Sequence, residues 1–264
     1  MAERQAGAGP WPDRVNILGV GLSAANIPAA LETFDGWIAA GARHYVCVAD
    51  VNAVMHGRWN PDYRRLQNRA GMVTTDGMPL VWLTRRARGR HVSRVYGPDL
   101  LLAACEHGLA RGRRHYFFGG APGVAQTLAN RLEARFAGLQ VAGVESPPFR
   151  PLTPEEEAET VARIDAAAPD FLWVGLGAPK QELWMAAFRD RLRVPVMVGV
   201  GAAFDFHAGT KPQAPRWLRH AGFEWAFRLA TEPARLWPRY RKVLPAFLLG
   251  LAHQRLRPAD FPLE

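Results

Sequence analysis

A chain of 264 residues, 48% hydrophobic and 22% charged, is long and apolar enough to bury one substantial core, which excludes an intrinsically disordered protein. No uninterrupted apolar run reaches the ~18 residues needed to span a bilayer. The short polar segment 1–13 lacks the apolar stretch of an export signal. Cys47 and Cys105 lie far apart with no C-x-x-C partner, so they read as buried free thiols in a reducing compartment.

Short β-branched runs alternate with longer helical patterns along the chain. Strands are expected at 14–19, 45–49, 72–74, 115–118, 139–144, 171–174 and 194–200. Helices are expected at 25–40, 62–69, 79–86, 99–110, 123–136, 153–167 and 180–191. Leu31, Phe34 and Ile38 share one helix face, and Val124, Leu128 and Leu132 another. Thr153 followed by Glu155 to Glu157 reads as a helix cap with acids in the first turn. Such alternation predicts an α/β fold, a mainly parallel, Rossmann-like sheet with helices on both faces.

The pattern changes after Gly209. No strand runs follow, only helical pieces punctuated by Pro215, Pro233, Pro238 and Pro245. The chain therefore divides into a core, 1–209, and a helical C-terminal appendage, 210–264. Between Lys211 and Arg257, ten basic residues against two acids, Glu224 and Glu232, carry +8 of the chain's net +9. Trp217, Trp225, Phe227, Trp237, Tyr240 and Phe247 interleave with them. A basic, aromatic surface suits anionic lipid; the competing reading is a packed helical tail whose aromatics belong to the core. Nucleic acid is not expected as a partner, because the rest of the chain is nearly neutral and lacks an RNA-binding motif.

Four glycine-bearing loops follow expected strands: Gly19-Val-Gly21, Gly119-Gly120-Ala-Pro-Gly123, Gly175-Leu-Gly177 and Gly199-Val-Gly201. Glycine lets a backbone approach a phosphate, and a helix N-terminus supplies free N–H donors; the alternative for each is a tight turn. No D-x-D pair and no His/Cys/carboxylate group with metal-ligand spacing occurs, so a site without metal or cofactor is expected, with diphosphate charge met by arginine and lysine. Asp76, before Gly77, is a general base or an Asx-turn. Asn52 either bonds a hydroxyl or caps a helix. Gln181 and Glu182 open a helix, and Asp205 sits between two aromatics.

Taken together, Asp76-Gly77, Arg94-Val-Tyr-Gly-Pro-Asp99, Gly175-Leu-Gly-Ala-Pro-Lys-Gln181-Glu182, Gly199-Val-Gly-Ala-Ala-Phe-Asp205, Ala214-Pro215 and Glu224-Trp-Ala-Phe-Arg228 with Glu232-Pro-Ala-Arg235 resemble the WecG/TagA/CpsF family of bacterial glycosyltransferases, over about 15–241. The resemblance implies inverting, metal-independent transfer from a UDP-sugar to a polyprenyl-diphosphate-linked sugar, by a peripheral enzyme on the cytoplasmic face of the membrane. It implies that Asp76 is the base, that Gln181 and Asp205 line the nucleotide-sugar pocket, that Asn52 and Arg94 face a sugar, and that Arg228 and Arg235 meet the leaving diphosphate. Homo-oligomers are compatible with it. Two departures stand out. Asp50 replaces a threonine common in the family, and Pro238 interrupts its last arginine cluster, leaving that role to Arg239 or Arg241. The alternatives from other classes are a non-catalytic nucleotide-sugar-binding or membrane scaffold protein and an NAD-linked oxidoreductase; the absence of G-x-G-x-x-G counts against the latter.

Overall fold

The structure, a computed structural model, describes residues 12–263; the side chains of Arg216, His220 and Arg235 also lie outside the described residues. The chain opens with an antiparallel hairpin, β1 (Arg14–Ile17) and β2 (Val20–Ser23). Six further strands form one parallel sheet: β3 (His44–Ala49), β4 (Met72–Thr75), β5 (Arg114–Gly119), β6 (Gln140–Glu145), β7 (Phe171–Gly175) and β8 (Val196–Gly199), in the order β4-β3-β8-β7-β5-β6. Runs such as Tyr45-Val-Cys-Val-Ala49 are apolar on both sides because helices cover both faces. The expected α/β, Rossmann-like class is the observed one.

The helices are α1 (Ile27–Ala39), α2 (Val51–Trp59), α3 (Pro61–Arg69), α4 (Met78–Arg88), α5 (Gly97–Gly108), α6 (Val124–Arg135), α7 (Pro154–Ala167), α8 (Lys180–Phe188), α9 (Ala203–Ala208), α10 (Arg216–His220), α11 (Glu224–Thr231) and α12 (Pro233–Leu256). Their starts follow local chemistry. Thr153 and Glu156 form a reciprocal capping box on α7, Asn26 caps α1, and Asn60 caps α3. One core, containing Leu18, Val54, Leu172, Met185 and Phe188, lies on the face covered by α2 and α8. The other, with Phe34, Trp37, Leu100, Leu128, Trp173 and Phe204, lies beneath α1, α5, α6 and α9. The helices leaving adjacent strands β3 and β8 therefore go to opposite faces, which opens a crevice at the carboxyl ends of those strands.

Three local features differ from the expectations. The 14–19 segment belongs to the hairpin, outside the parallel sheet, and Gly19, at φ +89°, turns the hairpin instead of leading into a helix. Residues 51–59 form a helix because Asp50 caps it, its carboxylate accepting from the Ala53 N–H at 2.8 Å. Finally, α12 runs unbroken through Pro238 and Pro245. An interior proline costs a helix about 3 kcal/mol, and here tertiary burial outweighs it: Leu236, Val243 and Phe247, at 3–4% exposure, keep helical spacing across both prolines. Val243 and Phe247 join the same core cluster as Leu18, against which Gly250 also lies. Cys47 and Cys105 are buried free thiols.

Deleting the Phe247 ring removes one of the anchors that seat α12. Phe247→Ala is expected to lower unfolding stability by about 3 kcal/mol, read as a shifted midpoint in urea titration.

Candidate functional site

Asp76 stands at the carboxyl end of β4, one residue before the Gly77 cap of α4. Its N–H donates to the Ala49 carbonyl at 2.9 Å, carrying the β3–β4 ladder one residue past the strand. Gly77 lies against Asp50, since a Cβ there would sit 3.7 Å from the Asp50 Cα. The ends of β3 and β4 thus bring Asp50 and Asp76 onto one rim.

The segment between α4 and α5 supplies the counter-charge. Val95 donates to the Thr75 carbonyl at 2.9 Å, which holds this segment beside the end of β4 and aims Arg94 at Asp76. Arg94 Nη2 donates to Asp76 Oδ1 at 2.7 Å, and Nε donates to the same oxygen at 3.2 Å and to the Asp76 carbonyl. The same Nη2 donates to Glu224 Oε2 at 2.7 Å. One guanidinium therefore bridges a carboxylate of the sheet rim and a carboxylate at the start of α11.

Glu224 Oε1 accepts from the Tyr96 hydroxyl at 3.1 Å and pairs with Arg228 Nε at 3.2 Å, a pairing one helical turn apart. The Tyr96 hydroxyl accepts in turn from Gln213 Nε2 at 3.2 Å, while its ring lies 4.1 Å beneath the Arg94 guanidinium carbon. Arg228 also stands over the Phe206 ring, 5.5 Å away, which links α11 to α9.

This environment sets the acid strength of Asp76. Burial raises its pKa most, Arg94 and Arg228 pull it down, and Glu224 and Asp50 push it up, leaving it raised to about 6. For Arg94, burial disfavours the charge, but Asp76 and Glu224 outweigh it and hold the guanidinium pKa above its usual value. A carboxylate titrating near 6 within reach of two guanidiniums can take a proton near neutral pH and sit beside an anionic group.

The other expected residues lie on the same rim with different partners. Asn52 is half-buried in the first turn of α2. Gln181, 3% exposed in the first turn of α8, donates through Nε2 to Glu182 Oε1 at 3.0 Å. The Gln181 side-chain carbonyl finds no hydrogen-bond donor among the described residues, and it lies 3.4 Å from where a Gly201 side chain would begin, with the Gly177 backbone adjacent. Asp205 pairs with Lys211 Nζ at 2.7 Å and accepts from the Thr210 hydroxyl at 3.1 Å; no described bond joins it to the Asp76 cluster. The Arg235 side chain lies outside the described residues. Among the described residues, no three of His, Cys, Asp and Glu are grouped to hold a metal ion.

The glycine loops divide by role. A Cβ on Gly119 would come within 2.6 Å of the Gly175 backbone, so that glycine serves close approach of β5 and β7. Gly177, at φ +77°, has open space where a side chain would stand. Tyr96 and Glu224 carry the cluster together with Arg94, yet the sequence reading gave neither a role. The available signal was the Glu224–Arg228 spacing of four on a short helix, which pairs charges.

Glu224 and Arg94 act on Asp76 with opposite sign. Glu224→Gln is expected to lower the Asp76 titration midpoint below about 6, and Arg94→Gln to raise it, both read by carboxyl-carbon NMR. Equal midpoints in all three proteins would contradict this electrostatic account.

Residues 15–260, nearly the whole chain, match a protein family described as the glycosyl transferase WecG/TagA/CpsF family. An N-acetylglucosaminyldiphosphoundecaprenol N-acetyl-beta-D-mannosaminyltransferase of Bacillus spizizenii is 27% identical over 211 residues, 80% of each chain. A protein of the same name from Staphylococcus aureus strain MRSA252 is 24% identical over 243 residues, 90% of this chain and 92% of that one. With the match running from the first strand to the last helix, the chain belongs to the glycosyl transferase WecG/TagA/CpsF family.

Proposed function

We propose that this chain transfers a sugar from a UDP-sugar to a saccharide carried on a polyprenyl diphosphate, with inversion at the anomeric carbon and Asp76 as general base. The observation that carries this reading is the Asp76 carboxylate itself, raised to about 6 at the carboxyl rim of a parallel sheet and bound to Arg94. The relatives' names, which specify a diphosphoundecaprenol-linked acceptor and transfer of N-acetylmannosamine, support the substrate class.

In the proposed step, an acceptor hydroxyl oxygen attacks the anomeric carbon as the bond from that carbon to the diphosphate breaks. The electron pair leaves with UDP, and the hydroxyl proton passes to an Asp76 oxygen. Arg228, close enough to Asp76 to lower its pKa, offsets charge growing on the leaving diphosphate; Arg235 is assigned the same task from its place in the family motif. Gln181 is assigned to the nucleotide-sugar pocket because its side-chain carbonyl is buried beside Gly177 and Gly201 and unpartnered among the described residues. Asp205 at the same rim, with Asn52 and Arg94 facing a sugar, completes the assignment.

The segment 210–264 is assigned to docking on the cytoplasmic face of the membrane. Trp217, Phe223, Trp225, Trp237, Leu248 and Leu249 are 47–72% exposed, among the exposed basic residues Arg239, Arg241 and Lys242. Amphipathic surfaces of this composition rest at the headgroup level. Among the described residues, no helix is long and apolar enough to cross a membrane.

Asp76→Asn is expected to lower kcat at least about 100-fold while UDP-sugar binding stays within about twofold. Turnover is measured as UDP release with a polyprenyl-diphosphate-sugar acceptor in nanodiscs, and unchanged turnover would sink the assigned base. Because a base must be deprotonated to act, kcat/KM for the unaltered chain should rise as pH climbs through about 6 and level off above it.

A further inference from the structure

The tail is not the only surface where exposed arginine and aromatic side chains meet. Between Asp76 and Asp99 the chain contains no acid, but it contains Arg85, Arg86, Arg88, Arg90 and Arg94. Arg94 is occupied by Asp76 and Glu224, and Arg88 pairs with Asp13 at 3.4 Å. No carboxylate among the described residues bridges to Arg85, Arg86 or Arg90, and all three are exposed.

Helical geometry gathers these groups. Trp82, Arg85 and Arg86 stand three and four residues apart, hence on one face of α4. Arg85 Nη2 donates to the Arg90 carbonyl at 3.2 Å, which folds the loop after α4 back onto that face. Trp82 is 56% exposed, an unusual position for so large an apolar ring in the helix of a packed core. The four residues line an open recess of about 790 Å³.

This face continues into the appendage. Gly222, in the turn between α10 and α11, lies against Met78 and Trp82, since a Cβ there would sit 3.2 Å from Met78 and 3.7 Å from the Trp82 ring. The residues after it, Phe223 and Trp225, are 53% and 47% exposed. Exposed aromatic surface therefore spans the junction from α11 to α4, with uncompensated arginine on the α4 side.

We propose that the Trp82, Arg85, Arg86 and Arg90 face of α4 is a core-borne contact with anionic phospholipid, so that the bilayer is gripped by the core and the appendage together. The inference rests on the docking assigned above and extends it to a helix outside the basic tail. Arginine meets the headgroup phosphates bidentately while the tryptophan rests among them. Because α4 begins beside Asp76 and rises 1.5 Å per residue, Arg86 lies roughly 15 Å along the axis from the base. Phosphates held there would set the height at which a lipid-linked acceptor meets the rim.

The test is sedimentation of the full-length chain with phosphatidylglycerol-containing vesicles and with phosphatidylcholine vesicles. A basic residue near an anionic surface contributes roughly fivefold to partitioning. The charge-reversing pair Arg85→Glu/Arg86→Glu should therefore lower binding to phosphatidylglycerol vesicles at least about tenfold, while Arg85→Lys/Arg86→Lys stays within about twofold. Trp82→Ala, at an exposed position, gives an independent reading should the reversed pair fold poorly, with a several-fold loss expected. Binding of the reversed pair and of Trp82→Ala equal to that of the unaltered chain overturns the α4 contact and leaves docking by the tail intact. No binding of the unaltered chain to either vesicle overturns both, and equal binding to both vesicle types overturns recognition of anionic lipid.

Discussion

The site depends on one shared guanidinium. Arg94 is held by two carboxylates that come from parts of the chain 148 residues apart, Asp76 from the end of a sheet strand and Glu224 from the first residue of α11. Arg94 is shared between the two carboxylates, and Glu224 takes a second cation, Arg228, at 3.2 Å. Burial and the second carboxylate accordingly keep Asp76 well above the usual aspartate range despite its direct ion pair. Were Glu224 absent, Arg94 would serve Asp76 alone and pull its pKa down, against the burial that raises it most. The same bond that tunes the acid also fastens the helical segment over the rim, so closure and proton affinity are set by one set of contacts.

Fold class was legible because its signal is distributed. Each strand of the parallel sheet reads as a short apolar run, each helix as a spaced face, and an error in one does not disturb the rest. The failures were local and have physical causes. The 14–19 run has strand composition, but composition does not say whether its partner is the sheet or the next four residues. The prolines of α12 oppose a helix on propensity alone, and the burial of Leu236, Val243 and Phe247 that overrides them is a tertiary fact. Residues 51–59 mix apolar and polar residues without a clean face, and their helix is set by the Asp50 cap and by packing between the sheet and α12.

The placement of the candidate residues on one rim was legible in the sequence, and the bonds among them were not. Asp76, Gln181, Asn52 and Asp205 follow strands of a parallel sheet, and topology alone brings such positions to one edge. Nothing in the order of residues says that Glu224 reaches Arg94, or that Tyr96 lies between them as both hydrogen-bond donor and ring platform. Charge counting misled in a related way. Summed outside 211–257 the chain looks nearly neutral, yet the arginines of α4 and its loop stand on an acid-free stretch whose compensating acids lie elsewhere, in the first turn of α7 for example. Neutrality over two hundred residues is compatible with a strongly cationic helix.

The β1–β2 hairpin ties together two distant segments of the chain. Asn16 Nδ2 donates to the Phe261 carbonyl at 2.6 Å, Gln254 accepts from the Leu18 N–H at 3.0 Å, and the Phe261 ring is almost wholly buried. The hairpin is thus bonded to residues more than 230 positions later in the sequence. Contacts of such long sequence separation form late, after the loop-closure entropy of everything between them has been met. The hairpin therefore lacks these partners until residues 254–261 are available, and the end of α12 seats with it. A hairpin bonded this way couples fraying at 14–18 to fraying at 254–261, so that loosening either segment frees the other.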